Sequence, residues 1–144
     1  MKIALAQLNF TVGDIKSNTE KIITAIDNAK HAGADLIVFA EFAISGTPAY
    51  GLLTKTTFLT LCEEAVEEIA SKCCGIAAIV GTPYLTAEGP ISAAAYIDAE
   101  GNIEYWFCTE CEMYWQDAEL TQITNSKNVI LPAIGGEVVA FEAI

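Results

Sequence analysis

Glu41 closes the apolar run at 36–40, Leu-Ile-Val-Phe-Ala, and opens a loop punctuated by Gly46, Pro48 and Gly51. A carboxylate at the mouth of a buried strand suits general-base work, taking a proton from an attacking group. It is equally the remnant of such a base, or a strand end held in water, and these residues alone leave all three readings open. The cysteines are the other candidates. Cys108-Thr-Glu-Cys111 is a CxxC, and with the adjacent Cys73 and Cys74 it offers four thiolates to zinc or a redox dithiol. No second CxxC accompanies it, and Cys73 and Cys74 close a predicted helix, so the expectation is no metal and no cofactor. Five cysteines, at 62, 73, 74, 108 and 111, are an odd number with no secretion signal beside them, and they read as free thiols. His31, the only histidine, follows Lys30 near a predicted helix C-terminus, where positive charge is favourable, and reads as a surface residue.

These groups need a scaffold, and the sequence outlines one. Residues 2–9, KIALAQLN, alternate as a strand does, and a turn-like VGD follows at 12–14. Ser17 with Glu20 has the capping-box spacing, Ile22, Ile23, Ile26 and Ala29 form an apolar stripe, and Gly33 stands where a helix ends. The run 36–40 predicts a strand, and 57–73 a second helix with Phe58, Leu61, Cys62, Ala65, Val66 and Ile69 on its buried side. Glu63, Glu64, Glu67 and Glu68 occupy the wet side. GIAAIVGTPY is a continuous apolar run of the sort buried between layers. ISAAAYIDAEGNIEYWFC predicts two strands around a turn at 99–102, and NVILPAIGGEVVAFEAI another hairpin turning at Gly135 and Gly136. The order β-α-β-α-β followed by paired strands predicts an α/β fold: a mixed sheet with helices packed on one face, in a single domain over 1–144.

Composition narrows the partners. Seven lysines and no arginine face nineteen acids, a formal charge of -12, which disfavours nucleic acid and leaves no guanidinium for bidentate anion recognition. The acids are spread along the chain and serve to keep a 53% hydrophobic protein dissolved. No window is apolar enough for a membrane span, and the apolar start is too short for a secretory segment. The expectation is a soluble, cytoplasmic protein.

The first 53 residues resemble the opening of the nitrilase, or carbon-nitrogen hydrolase, superfamily, most closely its glutaminase domains of the glutamine-dependent NAD synthetase type. The resemblance is carried by the AQLN strand, the VGDIKSN turn, GADLIVF, Glu41 at the strand end, and SGTPAYGLL, which looks like that group's TGYPPxDLL loop. GIAAIVGTPY and ISAAAYIDAEGNIEYWF are similar to the family's central strand and to the strand pair leading to its lysine. NVILPAIGGEVVAFEAI is similar to the strand running up to its nucleophile. The resemblance spans nearly all of this chain but about the first half of the family's domain, and it implies a partial nitrilase-like α-β-β-α sandwich.

It also implies a chemistry. In the family a glutamate is general base to a cysteine, the thiolate attacks an amide or nitrile carbon, and a lysine ammonium stabilises the oxyanion. Glu41 matches the base. The lysine position falls at Cys108 or Thr109, and the next lysine is Lys127; the nucleophile position falls at Ile144 or just beyond. Two of the three triad positions are therefore degenerate, and the resemblance implies a domain defective as an amidase. A relocated thiol at Cys108 or Cys111 is the exception to weigh, although Glu110 and Glu112 would raise its pKa. The alternatives are a glutaminase that is active, or completed by another chain, and supplies ammonia for NAD synthesis, and a thiol metal or redox module at Cys108 and Cys111. A glutamine-like small molecule is the implied ligand. Trp106, Tyr114 and Trp115 are either pocket lining or core and interface. Uncovered strand edges imply a homo-oligomer or association with another chain.

Overall fold

The computed structural model describes residues 1–106, together with the backbone of Val129–Ile130 and Ala140–Phe141. The chain divides into two compact units, Met1–Phe107 and Cys108–Ile144.

The first unit is one five-stranded sheet in the order β1-β2-β3-β4-β5: β1 Ile3–Leu5, β2 Leu36–Val38, β3 Ala77–Thr86, β4 Gly89–Ile97 and β5 Ile103–Trp106. The first three strands run parallel, joined by α1 Ile15–His31 and α2 Thr56–Lys72, and the last two are added as antiparallel hairpins. Two right-handed crossovers progressing the same way across a sheet put both helices on one face. Accordingly α1 packs on α2, and α2 on β3 and β4. In the second unit, β6 Val129–Ile130 pairs antiparallel with β7 Ala140–Phe141, as a hairpin in that region requires.

Side chains in register across a sheet share a face. One face reads Ile37 and Phe39 beside Ala78, Val80 and Thr82, then Ala93, Ala95 and Ile97, all buried. This is the side under α2, because Tyr105, paired with Ala95, lies close enough to Glu63 and Glu67 of α2 for their charges to act on it. The opposite face carries Ile3 and Leu5, then Ile79, Gly81 and Pro83, then Ser92, Ala94 and Tyr96, and finally Glu104 and Trp106.

Several local expectations shift. The strand expected over 2–9 is only Ile3–Leu5, with one further bond from the Ala6 N–H to the Val38 carbonyl. Its neighbour β2 ends at Val38, so residues 7–9 have no ladder to join. The cap of α1 is Asp14, whose carboxylate accepts from the Ser17 N–H, so Ser17 lies inside the first turn. Gly33 does follow the C-terminus, at φ 76°, a left-handed conformation that costs glycine little. Along α2 the buried stripe takes Leu59 and Ala70 and leaves Leu61 exposed. Glu64, Glu67 and Glu68 are exposed as expected, and His31 is a surface residue.

The β4–β5 turn is tied by Asp98, whose carboxylate accepts from the Glu100 N–H, the Asn102 N–H and the Asn102 side-chain amide. The side-chain bond from Asn102, then the backbone bonds, hold the Asp98 carboxyl below its ordinary value. A carboxyl depressed by folding contributes stability above its unfolded pKa and loses it as pH falls through the folded value. Asp98→Ala is therefore expected to be less stable than the parent near pH 7, with the gap closing in acid below about pH 4; urea midpoints across pH check this.

Candidate functional site

After Val38 the chain crosses β3 instead of continuing along it. The Phe39 N–H bonds to the Ile79 carbonyl at 2.9 Å and the Ile44 N–H to the Gly81 carbonyl at 3.3 Å, so residues 39–44 form a turn laid against β3. This is possible because β3 has Gly81 there. A methyl group on Gly81 would lie 2.4 Å from the Ala40 carbonyl oxygen and 2.7 Å from both the Glu41 Cα and the Phe42 nitrogen, all backbone atoms. Phe42 then takes φ 55°, a costly conformation for a bulky side chain, and its ring is buried. The backbone is bent so that Phe42 enters the core while Glu41 stays exposed.

The rest of the loop is tied to the start of α1. Asn18 is fully buried and uses its whole amide: Oδ1 accepts from the Thr11 N–H at 2.9 Å, and Nδ2 donates to the carbonyls of Thr11 at 2.8 Å and Ile44 at 2.9 Å. The Gly13 N–H adds a bond to the Ser45 carbonyl. Gly46, at φ 71°, passes so close to Thr11 and Val12 that a Cβ there would meet backbone at 2.7 Å. Three separated segments, the 11–13 turn, α1 and the 42–46 loop, are thus locked together beside Glu41.

The Glu41 carboxylate stands on the sheet face opposite α2, the face that Gly81 and Ser92 share. Ser92 of β4 donates its hydroxyl to Glu41 Oε1 at 2.8 Å, and among the described residues no other hydrogen bond or ion pair reaches this carboxylate. Two residues further along the same face Ala94 pairs with Trp106, whose indole stacks on Tyr96 with centroids 4.6 Å apart and planes at 12°. Trp106 is half-buried, and its indole N–H meets no acceptor among the described residues. Tyr114 and Trp115 lie outside the described residues.

The described thiols stand apart from this carboxylate. Cys62 and Cys73 are buried, Cys62 in α2 beneath the other sheet face. Burial, with Glu63 adding to it, pushes the Cys62 thiol up to about 12, and burial alone pushes Cys73 up to about 11, so both are protonated and poor nucleophiles at neutral pH. Cys74 is exposed but lies just before β3, at the end of the sheet away from Glu41. A thiol reagent followed by peptide mapping should modify Cys74 within minutes and reach Cys62 and Cys73 only in denaturant. Fast labelling of Cys73 in the native protein would contradict this. No group of three or more His, Cys, Asp or Glu side chains is arranged to hold a metal among the described residues. Cys108, Thr109, Cys111, Lys127 and Ile144, with the degenerate triad positions among them, lie outside those residues.

Chemically, the described arrangement presents an accessible proton acceptor, oriented by one hydroxyl, at the edge of a half-exposed aromatic wall. Asn18, Gly81 and Ser92 were not among the residues singled out in the sequence. Two of them carried a signal: Gly81 interrupts an apolar strand, which often marks a close backbone approach, and Asn18 is a polar residue on the stripe of Ile22 and Ile26.

The carbon-nitrogen hydrolase family matches residues 2–133. The chain belongs to this family. Over 105 residues it is 39% identical to the glutamine-dependent NAD(+) synthetase of Xylella fastidiosa strain Temecula1, an alignment covering 72% of this chain and 19% of that protein. It spans about a fifth of the length of the curated relatives it matches. Among solved structures it is similar to the glutamine-dependent NAD+ synthetase of Acinetobacter baumannii, with a TM-score of 0.76 at 26% identity over 96% of this chain and 26% of that one. It also shares its fold with an amidase from Nesterenkonia sp., with a TM-score of 0.76 at 20% identity over 97% of this chain and 54% of that one. The mixed sheet with helices on one face is thus the nitrilase fold, and the glutaminase region of NAD synthetases is the part of the family that this sequence resembles.

Proposed function

We propose that this chain is the base-bearing part of a glutaminase-type carbon-nitrogen hydrolase domain, and that the 144-residue polypeptide alone is defective as an amidase. Its ligand class is a glutamine-like amide, met in the cytoplasm. The observation that carries the reading is Glu41 itself: a carboxylate held out on the sheet by Gly81 and Ser92, at the family's base position, with no lysine in the sequence between Lys72 and Lys127. A carboxylate can take a proton but cannot receive the negative charge that develops on a carbonyl oxygen. Losing the ammonium that does so costs about 100- to 1000-fold in rate. Ammonia release from L-glutamine, measured for the parent chain and Glu41→Gln, tests this. The expected result is the same background in both, and release that depends on Glu41 would overturn it.

A second reading has its own support. β1 is an edge strand, and on it Ile3 is 40% and Leu5 73% exposed, an apolar edge of the kind other chains cover. On this reading the chain associates with itself or with another polypeptide, and a partner that brings a thiol and an ammonium beside Glu41 restores glutaminase activity that feeds NAD synthesis. Light scattering at micromolar concentration is expected to give a mass above that of the monomer; a strictly monomeric mass contradicts self-association.

A further inference from the structure

We infer that Ser92 is the positioning residue of the Glu41 carboxylate: its hydroxyl selects one side-chain conformation of the base and directs Oε2 as the oxygen that takes a proton. The inference rests on the reading of Glu41 as the family's base.

The backbone of the turn does not need Ser92. It is fixed by the bonds from Phe39 to Ile79 and from Ile44 to Gly81, by the Gly46 N–H to the Phe42 carbonyl, and by the glycine beneath it. The Glu41 side chain, by contrast, is exposed, and a glutamate in water samples several rotamers, which a base must give up to act in one direction. Among the described residues, the carboxylate's one hydrogen bond is to Oε1, at 2.8 Å, from a group 51 residues away in sequence that reaches it from the neighbouring strand. An ionised carboxylate only accepts, so the shared proton belongs to the serine. Ser92 lies on β4 opposite Pro83, on the same face as Gly81. One strand register thus sets both where the Glu41 backbone lies and where its carboxylate points. Ala93, the next residue, faces α2, so a shift of β4 by one residue would put a methyl group in place of the hydroxyl.

The test reads conformation and needs no turnover. In the full chain labelled with carbon-13 and nitrogen-15, the three-bond couplings of Glu41 Cγ to the backbone nitrogen and carbonyl report its χ1 populations. They are to be compared for the parent, Ser92→Ala, Ser92→Thr and Ser92→Val. A dominant rotamer is expected in the parent and in Ser92→Thr. The minor rotamers should rise about tenfold in Ser92→Ala and Ser92→Val, the factor set by one hydrogen bond of typical net strength. Ser92→Val matches Ser92→Thr in shape, so that pair isolates the hydroxyl from any effect on the strand. Couplings equal in Ser92→Thr and Ser92→Val, or averaged already in the parent, would overturn the inference. Neither outcome depends on whether glutamine is hydrolysed, so the proposed function stands or falls separately, on ammonia release.

Discussion

Replacing Asn18 by alanine is expected to be among the most damaging single changes in the first unit, lowering stability by about 2–3 kcal/mol. The side chain is completely buried and makes three hydrogen bonds, so alanine strands the buried Ile44 carbonyl and removes one partner each from the Thr11 N–H and from the Thr11 carbonyl, which still accepts from the Asp14 N–H. The stranded Ile44 carbonyl costs about 1–3 kcal/mol, and the lost bonds to Thr11, which water can reach, add less. The thermal midpoint should fall by about 10 °C. Asn18→Asp is expected to do no better, since a carboxylate keeps the acceptor for the Thr11 N–H but sets negative oxygens against two carbonyls. Thermal denaturation of the two variants beside the parent checks both statements, and a change of less than about 1 kcal/mol would show that the loop holds without this amide. Because the same bonds tie the 42–46 loop to α1, loss of Asn18 is also expected to speed amide exchange at Ile44 and Gly46 more than in β3.

The second large effect is expected at Gly81. An added methyl group cannot be absorbed by a rotamer change, because the three atoms nearest to it are backbone atoms of residues 40–42. Either β3 or the turn must move, at a cost of about 2–3 kcal/mol for overpacking in a close-packed site. The two responses leave different traces. If the turn moves, Glu41 is carried away from Ser92 and the bond at 2.8 Å is lost; if β3 moves, its pairing with β4 weakens. The turn is the weaker partner, since β3 pairs with β4 along nine register positions from Ala78 to Thr86. Gly81→Ala should therefore keep strand amide protection while the Glu41 resonances shift, together with a fall in the urea midpoint. An unchanged midpoint would contradict the close approach itself.

How much of this was legible beforehand depends on what each feature is made of. The two helices and the central strand follow from apolar periodicity, which is local, and the sequence placed them within a few residues. The β4–β5 hairpin was equally readable, because Gly101 and Asn102 supply the turn that Asp98 then ties. The lengths of β1 and β2 were not readable: a strand is only as long as its neighbour, and β2 stops at Val38 because the chain must turn across Gly81. The helix start was misplaced by three residues because Ser17 and Glu20 mimic a capping box while Asp14 does the capping. For the proposed site, Glu41 stands out in the sequence through its motif, whereas Ser92 does not. A serine among alanines has no pattern that announces it, and only the pairing of β3 with β4 brings it across to the turn. Asn18 and Gly81 fall between these cases, each a local exception whose reason becomes visible only when the distant segment it touches is in place.

The proposed function takes Glu41 as a general base that activates no thiol of this chain. A diazoketone analogue of glutamine, which alkylates an activated thiolate where an amide would be attacked, tests it directly by intact mass and peptide mapping. The expected result is a native protein with no adduct at Cys108 or Cys111, and identical spectra for the parent and Glu41→Gln. An adduct on either cysteine that disappears in Glu41→Gln would show that the carboxylate does activate a thiol of this chain, and would contradict the account.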